Sequence, residues 1–396
     1  MLQAKTEYGK RVVLALFTKR EIKALKQHTR FFCPACNEPV VAKAGSKITP
    51  HFAHNARSNC PARDGGEGPY HEKGKLLLYN WLKHQQLNVS LEEYLPQSGQ
   101  RPDVLIRLQT KTIAVEYQCA RITPDEIIER TRGYEKAGII PIWILGANQF
   151  KRCNQNEIKV DTFLLHFIHQ FSADFPLTLY FFCPDTLSFI TFQDLYLSTQ
   201  RQGIGNVTIK KLNTINFTNL FNKTFLSQKE LLQNWLIKKR LMRTRPSRRA
   251  FGQELVWQQW LYINALNRDS LPAPIYLPVT GQYRMKTHPW DWQSRLCIEV
   301  IDRMRPHEPF SVKRCMHLLR PHIRPSHSFP LIKSSLNPVY QYLKLLEELQ
   351  VVQEISPHQF IKKESFVFYE HIEDALDGDN MLIAELMKQN TGMFPG

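Results

Sequence analysis

The chain has 396 residues, room for about two or three domains, with the charged and apolar fractions of a globular protein, which excludes wholesale disorder. A formal net charge of +16 and a pI near 9.5 favour a polyanionic partner, most simply DNA or RNA, over a merely basic solvated surface. Eight cysteines are too sparse for a disulfide scaffold, and no run reaches the ~18–20 apolar residues that span a bilayer.

The opening stretch, MLQAKTEYGKRVVLALF, has no apolar core followed by a small-residue cleavage site. No signal peptide is expected there, and a cytoplasmic protein follows. The most apolar run, DTFLLHFIHQFSADFPLTLYFF, is broken by Asp, His and Pro. Three zones are expected. Residues 1–64 form a small module of short basic strands, residues 65–155 alternate helix and strand patterns, and residues 156–396 are Phe-rich and then mostly helical. GGEGPY, residues 65–70, is the hinge between the first two.

Residues 33–60 hold Cys33-x-x-Cys36, then His51-x-x-His54, then Cys60. In a reducing compartment this spacing points to metal before disulfide, since a Cys-x-x-Cys turn supplies two sulfurs to one zinc ion. PVVAKAGSKITPHF between the pairs reads as a hairpin that returns the chain to the knuckle. The most economical structural Zn²⁺ set is Cys33, Cys36, His54 and Cys60, with His51 the rival for the third place. The competing reading is a redox Cys-x-x-Cys.

Before the next strands, residues 70–86 carry Leu77, Leu78, Trp81 and Leu82 at helical spacing. Glu67, His71 and Lys75 fall on one stripe of that helix if it starts early enough. NVSLEEYL (88–95) reads as a strand. DVLIRL (103–108) and KTIAVEYQ (111–118) read as an antiparallel pair. With a two-residue loop at Gln109-Thr110, Leu108 faces Lys111 and Asp103 faces Glu116. Directly opposed residues have Cβ atoms roughly 4.5–5.5 Å apart, and two opposed carboxylates repel. A Mg²⁺ or Mn²⁺ ion between them removes that cost and stabilises charge on a phosphoryl group. Gln118 shares the Glu116 face and is a candidate to position a metal-bound water. The bland reading is a hairpin with acids at its solvent end.

Thr123-Pro124-Asp125-Glu126 is a capping box with Pro at the first helical position. The helix that follows runs to about Ala137 and stops at Gly138, and IIPIWIL (139–145) is a buried strand. Arg130, Arg132 and Tyr134 of this helix receive no assignment. The order of elements is helix, three strands, helix, strand: an αβββαβ core of mixed α/β (α+β) class.

That order, with the motif RPDV…VEYQ, resembles the PD-(D/E)xK, restriction-endonuclease-like nuclease superfamily. CPAC…HFAH…C, EGPYHEKGK, RPDVLI, AVEYQCARITPDEIIERTRGY and IPIWIL together resemble the competence protein CoiA family over residues 1–150. The resemblance implies metal ligation by Asp103 and Glu116, with Glu67 an auxiliary ligand and His71 and Lys75 nearby. Gln118 stands where the superfamily has lysine and cannot supply its charge, so Lys75 or His71 would have to compensate. It also implies a role in natural transformation, with incoming DNA, single-stranded or branched, as substrate and recombination proteins as partners. Three functions stay open: a metal-dependent deoxyribonuclease, a non-cleaving DNA-binding adaptor, and an RNA nuclease of the same fold. No small-molecule cofactor is expected.

In the C-terminal zone Phe163, Phe167, Phe171 and Phe175 recur as one buried helix face, in preference to a platform for unpaired bases. KKRLMRTRPSRR (238–249) has seven cations and no acid. Lys238, Lys239, Arg240, Arg243, Arg245, Arg248 and Arg249 are its candidate phosphate contacts, a flexible basic linker being the alternative. SRLCIEVIDRM, SVKRCMHLLRP and NPVYQYLKLLEELQ read as three helices, and VVQEIS and SFVFYE as a following hairpin. Such a set is either a winged-helix module or a helical packing domain.

Overall fold

The computed structural model describes residues 1–45, 49–55, 58, 60, 68–245, 250–334 and 336–389. Its first sheet contains β1 (Gln3–Thr6), β2 (Arg11–Val13), β3 (Phe31–Phe32), β4 (Pro39–Lys43) and β5 (His51–His54), in the order β2-β1-β3-β4-β5. Helix α1 (Lys19–His28) follows β2 and starts on a Thr18–Glu21 capping box. Strand β4 alternates, with Val40 and Ala42 inward and Val41 and Lys43 outward. The core beneath is small, built of Ala4, Val12, Leu14, Ile22, Phe31 and Phe52 with Cys33 and Cys60 beside them. So small a core needs a further staple to stand alone.

Helix α2 (Pro69–His84) leads into β6 (Asn88–Leu91), β7 (Val104–Arg107) and β8 (Thr112–Gln118). Helix α3 (Pro124–Lys136) then crosses over to β9 (Ile139–Gly146). Strands β6, β7 and β8 are antiparallel neighbours and β9 runs parallel to β8, so the expected order of elements is present. The hairpin register is also as expected: Val104 pairs with Val115, Arg107 with Thr112, and Leu108 N–H donates to Lys111 O at 2.8 Å. Val104, Ile106, Ile113, Val115 and Tyr117 pack with Leu78, Trp81 and Leu82 of α2. Leu105 and Ala114 pack with Tyr134 of α3 on the other face. Strand β6 is shorter than the sequence predicts, because Glu92 takes a left-handed backbone (φ 48°) that ends the extended run.

The boundary expected at residue 155 falls inside the sheet. Strands β10 (Arg152–Asn154) and β11 (Glu157–Lys159) belong to it, as do β12 (Leu179–Cys183), β13 (Ser188–Thr199) and β14 (Gln202–Lys211). The nine-stranded order is β10-β11-β14-β13-β12-β9-β8-β7-β6. The long helix expected over the phenylalanines is a correction: α4 covers only Thr162–Leu165. Beyond it His169 bridges Thr178 and Gln170 bridges Ile332, so tertiary pairing competes with helical periodicity and wins. Phe163, Phe167 and Phe175 are buried, as expected, and are no platform for bases.

Strand β13 bulges at Asp194, whose backbone is left-handed (φ 57°). Its buried Oδ2 accepts the Leu226 N–H at 3.0 Å, just before α5 (Gln228–Thr244). There follow α6 (Gln253–Ile263), α7 (Pro289–Arg295), β15 (Pro309–Ser311), α8 (Val312–Leu318) and α9 (Pro338–Glu348). The strands β16 (Val352–Ser356) and β17 (Gln359–Lys362) come next, and then α10 (Ile372–Lys388). Helix α7, strand β15, helices α8 and α9 and the β16–β17 hairpin follow the winged-helix order, with strands ordered β15-β17-β16. SFVFYE is not the second hairpin strand: the chain turns tightly at Pro357-His358, where His358 has φ 63°, and pairs back at once. Helix α9 buries Val339, Tyr342, Leu343, Leu345 and Leu346, and on its other face Lys344 pairs with Glu347 and Glu354. No helix among the described residues is long and apolar enough to cross a membrane.

Two cations of the basic run point inward, another correction. Arg243 grips both oxygens of Asp379 at 2.7 and 2.9 Å and donates to the Asp269 and Leu271 carbonyls. Lys239 Nζ lies 3.2 Å from the same carboxylate and donates to Ala273 O and Ile275 O. These cations fall on the inner face of an amphipathic helix, beside Leu232 and Trp235. Asp379→Ala strands two buried cations and is expected to lower unfolding stability by about 3–5 kcal/mol in a urea titration. Arg240→Ala, at an exposed position, should change it by no more than about 0.5 kcal/mol.

Burial pushes the Asp194 carboxyl up to about 7, against the opposing Leu226 hydrogen bond. The folded chain therefore holds this proton more tightly than the unfolded one. Its contribution to stability is complete below the ordinary carboxylate range and is lost as pH rises through 7. Asp194→Asn keeps the acceptor and tolerates the left-handed backbone. It should flatten the stability profile between pH 4 and 7 and add on the order of 2 kcal/mol at pH 8.

Candidate functional site

Helix α2 approaches the sheet at Gly74, where a Cβ would lie 2.1 Å from the Tyr117 ring. That close approach seats His71 over Tyr117, ring centroids 5.5 Å apart, and carries Lys75 to the start of β7. Asp103 stands there. Its Oδ2 accepts the Tyr117 N–H at 2.8 Å and lies 3.4 Å from His71 Nε2, while Oδ1 lies 3.3 Å from Lys75 Nζ. Burial acts to raise its pKa, but the charges of Lys75 and His71 outweigh it and hold the carboxyl well below the usual range.

Glu116 follows Val115, the strand partner of Val104, so it lies one step beyond the last pair beside Asp103, and it is 2% exposed. It accepts from Arg130 at 2.6 Å and from the Tyr134 hydroxyl, both on α3. Burial pushes its carboxyl up to about 7, Arg130 opposes the shift, and the Asp103 charge adds to it. Two like groups in one buried setting have thus moved apart, one firmly ionised and one close to neutral pH.

Lys75 also lies 2.6 Å from Glu92 Oε1, and its side chain has no exposed surface. Glu92 Oε2 in turn accepts the Leu2 and Gln3 N–H groups at 2.6 and 3.4 Å. One line of polar contacts therefore joins the N-terminal sheet to Asp103. Glu92, Arg130 and Tyr134 were not assigned from sequence. Arg130 and Tyr134 are four apart on one helix face, a usable signal. Glu92 carried none, because NVSLEEYL reads as a continuous strand.

The Gln118 amide nitrogen donates to Ala120 O at 2.7 Å near the surface. Glu67, Arg248 and Arg249 lie outside the described residues. Of the remaining cations of the basic run, Arg240 and Arg245 are exposed and Lys238 pairs with Glu157 at 2.6 Å. Asp103 and Glu116 belong to no convergent group of three metal-ligating side chains among the described residues.

Cys33, Cys36, His54 and Cys60 do form such a group, with all ligand atoms within 4.8 Å of one another. Cys33 Sγ and Cys60 Sγ are 3.8 Å apart, the separation that two bonds of about 2.3 Å make at a tetrahedral ion. Cys36 Sγ lies 3.4 Å from His54 Nε2. The β4–β5 register explains the choice of histidine. His54 pairs with Val40, close to the knuckle, and His51 pairs with Lys43 at the far end. His51 Nδ1 is bonded instead to Thr49 O at 2.9 Å. The set could hold a metal such as zinc and leaves no open position for water. Elemental analysis should find about one zinc per chain. Cys33→Ser should lower metal content and melting temperature together, because binding is coupled to folding. His51→Ala should leave both unchanged.

Residues 14–63, 67–225 and 231–376 match the family models described as competence protein CoiA N-terminal domain, nuclease-like domain and C-terminal domain. A curated relative, competence protein CoiA of Bacillus subtilis (strain 168), is 30% identical over 297 residues, which cover 74% of this chain and 78% of the relative. No solved structure matches the chain. The opposed acids lie inside the nuclease-like match and the Cys/His set inside the N-terminal one, and the chain belongs to the competence protein CoiA family.

Proposed function

We propose that this competence protein binds incoming DNA and hydrolyses its phosphodiester bonds at Asp103 and Glu116. The carrying observation is that two buried acids sit just beyond the last pair, Val104–Val115, at the open end of the β7–β8 hairpin. A Mg²⁺ or Mn²⁺ ion held there would activate a water and stabilise charge on the phosphoryl group. The donor chemistry suits such an ion, since both groups are carboxylates and Asp103 is strongly ionised. The PD-(D/E)xK core is the fold reading that goes with this site.

The chain's own side chains account for the missing lysine at position 118. Lys75 brings an ammonium to 3.3 Å from Asp103, and Arg130 brings a guanidinium to 2.6 Å from Glu116. Positive charge is therefore present on both sides of the acids, where a phosphate would gather negative charge. The same cations favour the second reading, an adaptor that holds DNA without cutting it, because they already neutralise both acids. Structural zinc at the Cys/His set would hold the N-terminal module in shape.

Purified protein with Mn²⁺ and a panel of single-stranded, duplex and branched DNA, with RNA alongside, tests the reading. Cleavage of DNA is expected, abolished by Asp103→Ala and by Glu116→Ala with binding retained. Gln118→Ala, which loses a surface bond to a carbonyl, should keep most of the activity. Undiminished cleavage in both acid variants would overturn the site, and binding without cleavage in the native protein would establish the adaptor.

A further inference from the structure

Where the tip of the β13–β14 hairpin meets α5 and α6, an open cleft of about 670 Å³ enters the surface. Arg201 lines it from the hairpin, Lys238 and Arg245 from α5 and its C-terminal cap, and Arg268 from the loop after α6. Glu254 is the only carboxylate among the described lining residues, and burial raises its pKa. Lys238 is answered by Glu157 at 2.6 Å and Arg268 by Asp269 at 3.7 Å. Arg201 and Arg245 are solvent-exposed, so the cleft keeps a surplus of positive charge. Beside them the Phe251 ring is 72% exposed. On the floor Trp290 stacks on His288 at 4.2 Å, and burial takes His288 down to about 4, so it adds no charge.

Cations along a groove with an exposed aromatic ring are what a single-stranded nucleic acid needs: charge for its phosphates and an apolar face for an unpaired base. A duplex offers its phosphates but hides its base faces from Phe251. Helix α9, the groove-reading position in the winged-helix order, turns one face into the core, and its outward Lys344 is answered by Glu347 and Glu354, so it adds no surplus charge. We infer that this cleft grips single-stranded DNA, with phosphates at Arg201 and Arg245 and a base on Phe251. Only the choice of DNA over RNA rests on the function proposed above.

The cleft is separate from the acids. Strand pairing aligns Glu116 with Trp143, Leu145 with Phe181, and Leu179 with Phe192. Thr199, at the cleft, is seven residues beyond Phe192 toward the other end of the sheet. The cleft is therefore an anchor remote from the acids, and binding there is separable from cleavage.

Fluorescence anisotropy of the full chain with labelled oligo-dT, oligo-U and a duplex of equal length tests this. The native protein should bind oligo-dT more tightly than duplex. Arg201→Glu with Arg245→Glu should weaken oligo-dT binding at least tenfold. It should also make the slope of log affinity against log salt shallower by about 1.4, two phosphates at about 0.7 each. Phe251→Ala should weaken it by about 5-fold or more with the slope unchanged. All three side chains are exposed, so melting temperatures should match the native protein. Native-level binding in both variants, or tighter binding to duplex, would overturn the cleft. If the native protein cuts nothing yet the variants lose binding, the cleft stands and the catalytic reading falls. Equal loss for oligo-U and oligo-dT supports the cleft and leaves the polymer to be decided by the cleavage panel.

Discussion

A lysine ammonium with no exposed surface holds the nuclease-like part of this protein together. Lys75 lies between Glu92 and Asp103, at 2.6 and 3.3 Å. A buried cation is tolerated only when charged partners and hydrogen bonds replace water. Everything around Lys75 meets that demand: the missing Cβ at Gly74, the turn that frees Glu92, and the strand start that presents Asp103. Because Glu92 also accepts the Leu2 and Gln3 N–H groups, the same ammonium ties the N-terminal sheet to the site. A disturbance in that module has a short path to Asp103.

The opposed acids pose the complementary problem. Placed in register on neighbouring strands, they would repel if both were ionised and unpartnered. The fold separates their roles by giving each a helix: α2 supplies Lys75 and His71 to Asp103, and α3 supplies Arg130 and Tyr134 to Glu116. One acid is driven down and the other up, which is the pattern by which carboxylates in one site acquire different chemistry.

In the C-terminal half, similar elements serve packing. The winged-helix order of elements is present, with Tyr342 and Leu343 of its third helix fully buried and the outward Lys344 paired with Glu347 and Glu354. The basic run divides in the same way: the inward face of α5 places Arg243 and Lys239 on Asp379, and its outward face leaves Arg240 and Arg245 to solvent. A run of sequence rich in cations becomes a structural ion cluster on one side and an exposed basic face on the other.

Sequence alone determined the elements whose signals are local. The capping box at Thr123, the stop at Gly138 and the alternation of 103–118 specified α3, β7 and β8 and their register. The Cys-x-x-Cys, His-x-x-His spacing specified the metal-ligating set up to one histidine. What the tertiary structure decided was everything that depends on which face meets which neighbour. His54 prevailed over His51 by hairpin register, and Lys239 and Arg243 turned inward because their helix face is the apolar one. The phenylalanine run gave up its helix for bridges to Thr178 and Ile332, and Glu92 became a partner of Lys75 through a backbone reversal that no residue pattern marks. Local propensity and periodicity act within a few residues, whereas burial and pairing of charges are settled by segments tens to hundreds of residues apart.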